Sequence, residues 1–289
     1  MSNILNNMIE FLAVLVVMFF AVSFVSRVAM KKMPLDRLFA RLQGSGAVAS
    51  NFISAVIGAV TPFCVCTTIP VFTGMVQMGL KTGPAMAFLF SSPLLNISAV
   101  ILIYFLFGWK FAVYFTAAIL FAATLGGILV PKLGMEDGIE GKAEEGGLPE
   151  GGSGNVCKDA ARSSASLLKN LLLPLILGAV IAGLIHNYIP VKFIERFNGF
   201  PVWLAIPLVA LIGFPLYSNI LVLAPICFSL ADKGMNSAVV MTFMMSGAGI
   251  SFPSALVLNR ILKRRLYLYY LGYTFLAYCI IGLGFNLVR

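Results

Sequence analysis

Charged residues are scarce in this chain: only 11% of its 289 residues are Asp, Glu, Lys or Arg, while 60% are hydrophobic. Together with a mean hydropathy of +0.97, this composition excludes a soluble globular domain and predicts an integral membrane protein. The apolar runs are roughly 20 residues long and lack the alternation of barrel strands, so we expect an all-α protein whose spans are helices.

Reactive and ionisable side chains are few. The five cysteines are scattered and odd in number, which excludes a disulfide framework. The stretch GMVQMGLK (74–81) lacks the adjacent Lys and Ser or Thr of a phosphate-binding loop. We therefore expect neither an ATPase nor any other enzyme, and no resident cofactor. Proton coupling needs an ionisable group in the membrane, and the candidates are Glu10 and His186, each near the end of a span.

Basic residues produce the net charge of +9, but they cluster in short loops beside apolar runs, as in KKMPLDRLFAR and NRILKRR. This pattern is typical of membrane topology rather than of nucleic-acid binding. The expected partners are the lipid bilayer and a small-molecule or metalloid substrate, with a homo-oligomer left open. The first run, Met8 to Met30, is too long for a signal-peptide core. We expect a multi-pass protein of a bacterial or archaeal cytoplasmic (inner) membrane.

The chain contains an internal repeat. A P-x8-G-x11-S spacing occurs in Pro70, Gly79 and Ser91, and again in Pro225, Gly234 and Ser246. The repeat predicts two membrane halves, residues 1–130 and 161–289. Residues 131–160 between them are acidic and glycine-rich, which is typical of a flexible cytoplasmic linker.

Each half has four apolar segments, and the second segment of each is unusual. Gly46 to Leu80 and Pro201 to Ala231 are too long for one ordinary span and too short for two. Polar or helix-breaking stretches, TPFCVCTTIP and GFPLYSN, interrupt them. If the chain turns back there, the fold is two inverted repeats, each with three transmembrane helices and one broken re-entrant hairpin. The alternative is eight full spans in parallel repeats. The hairpin topology places more of the 20 Lys and Arg in the cytoplasm and is therefore favoured.

The hairpin tips are the predicted binding site. Pro62 stops the incoming arm, and Thr67 and Thr68 open the returning arm with side chains that can cap its first turn. Cys64 and Cys66 lie between them, at the deepest point. Free N–H groups at such a helix start suit an anion or a polarised ligand.

Polar residues also interrupt the segment that follows each hairpin. They are expected to face the tips and complete a pseudo-symmetric pocket of hydroxyl and amide groups, with thiols on one side only. In the first half these residues are Ser91, Ser92 and Asn96. In the second half the tip offers Tyr217, Ser218 and Asn219, and the following break offers Ser246 and Ser251.

The stretch from Thr61 to Asn96, TPFCVCTTIPVFTGMVQMGLKTGPAMAFLFSSPLLN, resembles the signature of a family of predicted permeases that includes the ArsP organoarsenical efflux permeases and the YraQ-type permeases. The resemblance implies a polytopic inner-membrane permease, and for the best-known members it implies export of trivalent methylated or aromatic arsenicals. The matching residues are Thr61, Pro62, Cys64, Cys66, Pro70, Gly83, Pro84, Ser91, Ser92 and Pro93.

A trivalent organoarsenical is a small, neutral and thiol-seeking solute, so a pocket with one or two cysteines binds it without burying a charge. We therefore expect a secondary-type permease that exports a small soft or neutral solute. One alternative is a permease for Cu(I) or a similar soft metal, with Cys64 and Cys66 as ligands and Met244 and Met245 near the second break. Another is a membrane thiol-disulfide relay, which would need cysteines at matching positions in both halves.

Overall fold

The computed structural model describes residues 46–61, 65–77, 79–139, 200–215, 220–250 and 252–288. Ten α-helices occupy these ranges, and the all-α class expected from the sequence is confirmed. The helices are α1 (Ala47–Val60), α2 (Val65–Gln77), α3 (Thr82–Ser91), α4 (Ile97–Phe107), α5 (Trp109–Lys132), α6 (Val202–Gly213), α7 (Ile220–Asp232), α8 (Ser237–Gly249), α9 (Phe252–Ile261) and α10 (Arg264–Val288).

The same order of helices occurs twice among the described residues. Each helix from α6 to α10 begins 155 residues after its counterpart among α1 to α5. The paired starts are Ala47 and Val202, Val65 and Ile220, Thr82 and Ser237, Ile97 and Phe252, and Trp109 and Arg264. A residue and the residue 155 positions later are called counterparts below.

The glycines of the repeated spacing end matching helices. Gly79 after α2 and Gly234 after α7 have φ values of 86° and 90°, a left-handed conformation in which glycine meets no Cβ penalty. In each case the next residue, Leu80 or Met235, donates its N–H to a carbonyl five residues back, at 3.0 and 3.1 Å. This bond and the buried side chain that follows the glycine identify two matched Schellman ends.

Two helices, α5 and α10, are long and apolar enough to cross a membrane among the residues described. At about 1.5 Å per residue their 24-residue spans are about 36 Å long, more than the hydrocarbon thickness. Large apolar side chains such as Phe121 and Ile280 lie exposed on them, as expected of a surface that faces lipid tails. Shorter apolar helices pack beside them, in agreement with a multi-pass membrane protein.

Helices α5 and α10 run antiparallel and contact each other reciprocally. Tyr114, near the start of α5, donates to the carbonyl of Ile281, near the end of α10, at 2.9 Å. Its counterpart Tyr269 donates to the carbonyl of Gly126 at 2.6 Å, and Gly126 is the counterpart of Ile281. Reciprocal contacts between the same two positions are the mark of a two-fold relation. The helices α4 and α7 and their counterparts α9 and α2 pack in the same reciprocal way.

The direction of α1 fixes the path of the chain through α2. Asn51, near the start of α1, lies beside Gly83 at the start of α3, and Gly58, near the end of α1, lies beside Ser91 at the end of α3. Parallel α1 and α3 require the chain to travel back between Val60 and Lys81, so α1 and α2 form a hairpin. Fourteen residues of α1 reach only about 21 Å, less than a full crossing.

The segment after each hairpin is broken into two helices, as expected from its polar residues. Pro93 has no N–H and follows Ser91, the last residue of α3. In the second half the axes of α8 and α9 differ in direction by 55° across the break. The two breaks meet, because a Cβ on Gly249 would lie 3.2 Å from a methyl group of Leu94. These two residues are counterparts in the repeat.

Charge separates the two ends of the described helices. One end, here called the basic end, holds the start of α3, the end of α5 and the turn between α9 and α10, where the N–H of Lys263 donates to the carbonyl of Gly138 at 2.7 Å. The basic residues there are Lys81, Lys132, Arg260, Lys263, Arg264 and Arg265, whereas the opposite end has Lys110 and Lys233 among the residues described. Both tryptophans, Trp109 and Trp203, lie exposed at the opposite end, the position of an interfacial aromatic belt.

Several sequence-based predictions fall outside the described residues. These are the coupling candidates Glu10 and His186, the tip residues Pro62, Cys64, Tyr217, Ser218 and Asn219, and Ser251. Most of the predicted linker is outside as well. At its start, α5 continues to Lys132, and Ile139 pairs with Leu262 in an antiparallel bridge.

Candidate functional site

The break after α3 is held against the hairpin by Ser91. Its hydroxyl lies 2.8 Å from the carbonyl oxygen of Ala55 on α1 and 3.2 Å from that of Phe88 in its own helix. The carbonyl of Ser91 in turn accepts from the N–H of Leu95 at 2.9 Å. Ser91 is fully buried. This serine therefore fixes the level at which α3 ends relative to the hairpin arm α1.

A glycine on α1 makes this contact geometrically feasible. A Cβ on Gly58 would overlap the hydroxyl oxygen of Ser91 and would approach the carbonyl oxygen of Phe88 to 3.0 Å. The second half repeats the arrangement: a Cβ on Gly213, the counterpart of Gly58, would overlap the hydroxyl of Ser246. In both halves, therefore, a glycine on the hairpin arm leaves the space that the serine hydroxyl occupies.

A second hydroxyl pair joins the returning arm to the same break. The side-chain oxygens of Thr68 on α2 and Ser92 lie 3.0 Å apart and share a hydrogen bond. Both residues are fully buried. The first turn of α2, which also contains Cys66 and Thr67, is thus fixed beside the break after α3.

The second half has no such pair at the matching positions. The counterparts of Thr68 and Ser92 are Leu223 and Gly247, and a Cβ on Gly247 would lie 2.8 Å from a methyl carbon of Leu223. An apolar contact therefore fills the place of the hydroxyl pair. The sequence predicted a difference between the halves on the basis of the thiols. The halves also differ in these hydroxyl groups.

Asn96 has a structural partner. It is the N-cap of α4, and its side-chain oxygen accepts from the N–H of Ala99 at 2.7 Å. Asparagine is among the preferred N-cap residues because it satisfies a free N–H in the first turn. The side-chain oxygen of Asn96 was predicted to face the pocket. It instead caps α4, the second helix of the broken segment.

The described part of the site is polar without being charged. The buried polar side chains of the described residues are all Ser, Thr or Asn, and none is Asp, Glu, Lys or Arg. Such a site offers hydrogen bonds but no counter-ion, so it suits a neutral ligand better than an ion.

Comparison with known proteins shows the family of the chain. The family model of a predicted permease, ArsP_1, matches residues 2–287 of the chain. The chain belongs to this predicted permease family. A UPF0718 protein of Methanocaldococcus jannaschii is 26% identical to the permease, over 77% of this chain and 78% of the archaeal one. No solved structure matches this chain. The resemblance expected from the TPFC-x-C and SSP motifs is confirmed.

The permease brings together some of the residues that its sequence singled out. Thr68, Ser91 and Ser92 lie at one junction between the hairpin and the following break, and Ser246 lies at the matching junction. Helix α2 is described from Val65 to Gln77, so Thr67 and Thr68 lie in its first turn. The hydroxyl of Thr68 pairs with that of Ser92 across the junction.

Sequence reasoning missed the polar residues on α1 of the permease. Ser50, Asn51 and Ser54 are buried on α1, inside an apolar run where single polar residues attract little attention. A residue-by-residue alignment of the halves would have singled them out, because their counterparts Ala205, Ile206 and Val209 are apolar. The same alignment would have paired Gly58 with Gly213.

Proposed function

We propose that this permease is a secondary-type transporter that exports a small neutral or soft solute, with a trivalent organoarsenical as the leading cargo. The solute site lies where the α1–α2 hairpin meets the break after α3. The observation that carries this proposal is the buried Thr68–Ser92 hydroxyl pair, which has an apolar replacement in the other half. Cys66 lies in the same turn of α2.

The chemistry of a trivalent arsenical suits this junction. The species is uncharged at neutral pH, so it can enter a region without buried charges at little electrostatic cost. A thiolate ligand is soft and favours a soft acceptor, and Cys64 and Cys66 would supply thiols on one side of the site. Two thiols rather than three leave the complex weak enough to release the cargo.

Two inverted repeats with re-entrant hairpins are the topology we propose for the permease. Counterpart helices of parallel repeats would run in the same direction through the membrane, whereas α5 and α10 run antiparallel. The basic end would face the cytoplasm of a prokaryotic cell. The first hairpin then enters from the cytoplasm and the second from the outer side, and their tips reach mid-membrane depth, as in many secondary transporters.

The cargo is tested by uptake into everted membrane vesicles that contain the full-length permease. The panel consists of trivalent methyl and phenyl arsenicals, arsenate and Cu(I), each with and without a proton gradient. We expect accumulation of the trivalent organoarsenicals and no accumulation of arsenate.

The role of the thiols is tested in the same vesicles with Cys64→Ser combined with Cys66→Ser. The matched control is Cys279→Ser, a half-buried thiol on α10. We expect the double variant to lose organoarsenical uptake and the control to retain it. Uptake of Cu(I) alone would replace the arsenical with a soft metal as cargo, and full uptake by the double variant would remove the thiols from the site.

A further inference from the structure

One face of α1 carries polar atoms that lack hydrogen-bond partners. Asn51 and Ser54 are 2% and 0% exposed. Within the described part of the chain, neither the side-chain oxygen of Asn51 nor the hydroxyl of Ser54 has a hydrogen-bond partner. The amide nitrogen of Asn51 is used, since it donates to the carbonyl of Ala47 at 2.6 Å. Two unpartnered oxygens, three residues apart, therefore share one face of a helix.

The fold does not require these polar groups. Their counterparts on α6, Ile206 and Val209, are as deeply buried, and α6 packs on α8 and α10 as α1 packs on α3 and α5. Buried polar atoms without partners reduce stability, whereas apolar side chains at the same places increase it. The first half thus contains a costly feature where the second half has an ordinary apolar contact.

The position of these residues links the basic end to the proposed site. Asn51 lies near the start of α1 beside Gly83 and Gly127, Ser54 lies almost one turn further along, and Ser91 contacts the carbonyl of the next residue, Ala55. The polar row therefore runs from the basic end to the break after α3. It contains hydroxyl and amide groups and no charge.

The row is closed in this structure. A Cβ on Gly127 would overlap the side-chain oxygen of Asn51 and would lie 2.7 Å from the carbonyl oxygen of Gly83. Helices α1, α3 and α5 therefore meet here without a gap for a solute. Separating α1 from the two glycines would expose both unpartnered oxygens along one side of the opening.

We propose that this face of α1 is the cytoplasmic half of the solute path, and that it opens when the α1–α2 hairpin moves away from α3 and α5. The oxygens of Asn51 and Ser54 then accept hydrogen bonds from a neutral solute that carries hydroxyl groups. This inference rests on the proposed function, because the path leads to the site at the break. The path belongs to the first half alone, since α6 offers Ile206 and Val209 at the matching positions.

Thiol accessibility tests the path without knowledge of the cargo. Ser54→Cys and the matched control Val209→Cys are placed singly in the full-length permease and treated with a membrane-impermeant methanethiosulfonate. Ser54→Cys is treated in everted vesicles and Val209→Cys in right-side-out vesicles, so that the reagent reaches the side of the membrane from which each hairpin starts. Modification of the introduced cysteine is quantified by mass spectrometry. We expect Ser54→Cys to react about tenfold faster or more, because only its face visits an open, hydrated state. Equal rates would overturn the proposal, and Asn51→Cys repeats the test at a second position.

Substitution by the residues of the second half separates transport from packing. Asn51→Ile and Ser54→Val are expected to retain or raise the melting temperature while slowing transport about three- to tenfold, the effect of one lost hydrogen bond. A lower melting temperature with unchanged transport would assign the pair to packing and overturn the path.

The cargo panel and the labelling test can fail separately. If no compound of the panel accumulates but Ser54→Cys is labelled rapidly, the arsenical is rejected and the path is kept. Arsenical uptake without labelling would keep the cargo and reject the path.

Discussion

Ser91 and Ser246 have the same role in the two halves, whereas the residues that follow them do not. Each of the two serines faces a glycine on the hairpin arm and lies within reach of the carbonyl three residues back, at 3.2 and 3.1 Å. The next residue is Ser92 in one half and Gly247 in the other. The first serine therefore supports the shared framework, and the second position is where one half has a buried hydroxyl pair and the other an apolar contact.

The second half suggests a direct exchange at this position. Thr68→Leu alone should destabilise the permease by about 2 kcal/mol, because a larger side chain is forced against Ser92 and the hydroxyl of Ser92 loses its partner. Thr68→Leu with Ser92→Gly copies the Leu223–Gly247 contact and should recover most of that stability while transport stays low. Thermal unfolding in detergent and vesicle uptake measure the two effects. Normal uptake by the double variant would remove the hydroxyl pair from the site.

Helices α5 and α10 contact each other across the two halves, and each also packs on a helix of its own half, α5 on α3 and α10 on α8. Small residues lie at these crossings within each half: a Cβ on Gly282, the counterpart of Gly127, would overlap the hydroxyl of Thr242 on α8. Aromatic side chains fill the remaining space, as where Phe90 stacks on Tyr270 with ring centroids 5.3 Å apart. Close approach through small residues is how membrane helices gain packing energy in the absence of a hydrophobic driving force.

The two reciprocal tyrosine bonds should contribute equally and independently. Tyr114→Phe and Tyr269→Phe each remove one hydrogen bond to a carbonyl and should each cost about 1 kcal/mol. The bonds lie near opposite ends of α5, so the double variant should show the sum of the two effects. Tyr104→Phe, on an exposed ring, serves as the control. Unequal or strongly non-additive losses of unfolding free energy would contradict the reciprocal arrangement.

In the proposed topology, the whole molecule combines two ends of different charge with two hairpins that start from opposite ends. Asn51 places the start of α1 at the basic end, and Trp203 marks the start of α6 at the opposite end. If the basic end faces the cytoplasm, each side of the membrane has one hairpin that leads toward the centre. The breaks meet there through Leu94 and Gly249.

This topology predicts the accessibility of two loops. Lys81→Cys follows the first hairpin and Lys233→Cys follows the second. We expect an impermeant maleimide to label Lys233→Cys in intact cells and Lys81→Cys only in everted vesicles. Eight full spans in parallel repeats would place both loops on the same side. Labelling of both positions in intact cells would therefore contradict the inverted repeat.

The interruptions of the helices were predictable because their causes are local. Pro93 lacks an N–H and follows the last residue of α3. A proline alone does not stop a membrane helix, since Pro207 and Pro225 lie inside helices with apolar neighbours. The repeated glycines were equally visible, because only a left-handed helix end requires them at Gly79 and Gly234. The breaks after α1, α3 and α8 lie where a proline occurs together with Ser or Thr, in TP, SSP and SFP.

The partners of polar side chains were not predictable, because they depend on tertiary distance. The sequence places Asn96 in a break but does not reveal that its side chain caps α4. It also does not reveal that Thr68 meets Ser92 from 24 residues away. Aligning the two halves would have singled out Asn51 and Ser54, but their burial and lack of a partner become visible only when α1 packs against α3 and α5.

The reciprocal tyrosine bonds bear on the origin of the permease. A shorter ancestor with a single copy of this unit would donate its tyrosine to the carbonyl of a second, oppositely oriented copy and accept the same bond in return. Such an ancestor would need to insert into the membrane in both orientations, and fusion of two copies would then fix one orientation for each. Once fused, the halves were free to diverge, so a polar row on α1 could arise without a matching change on α6.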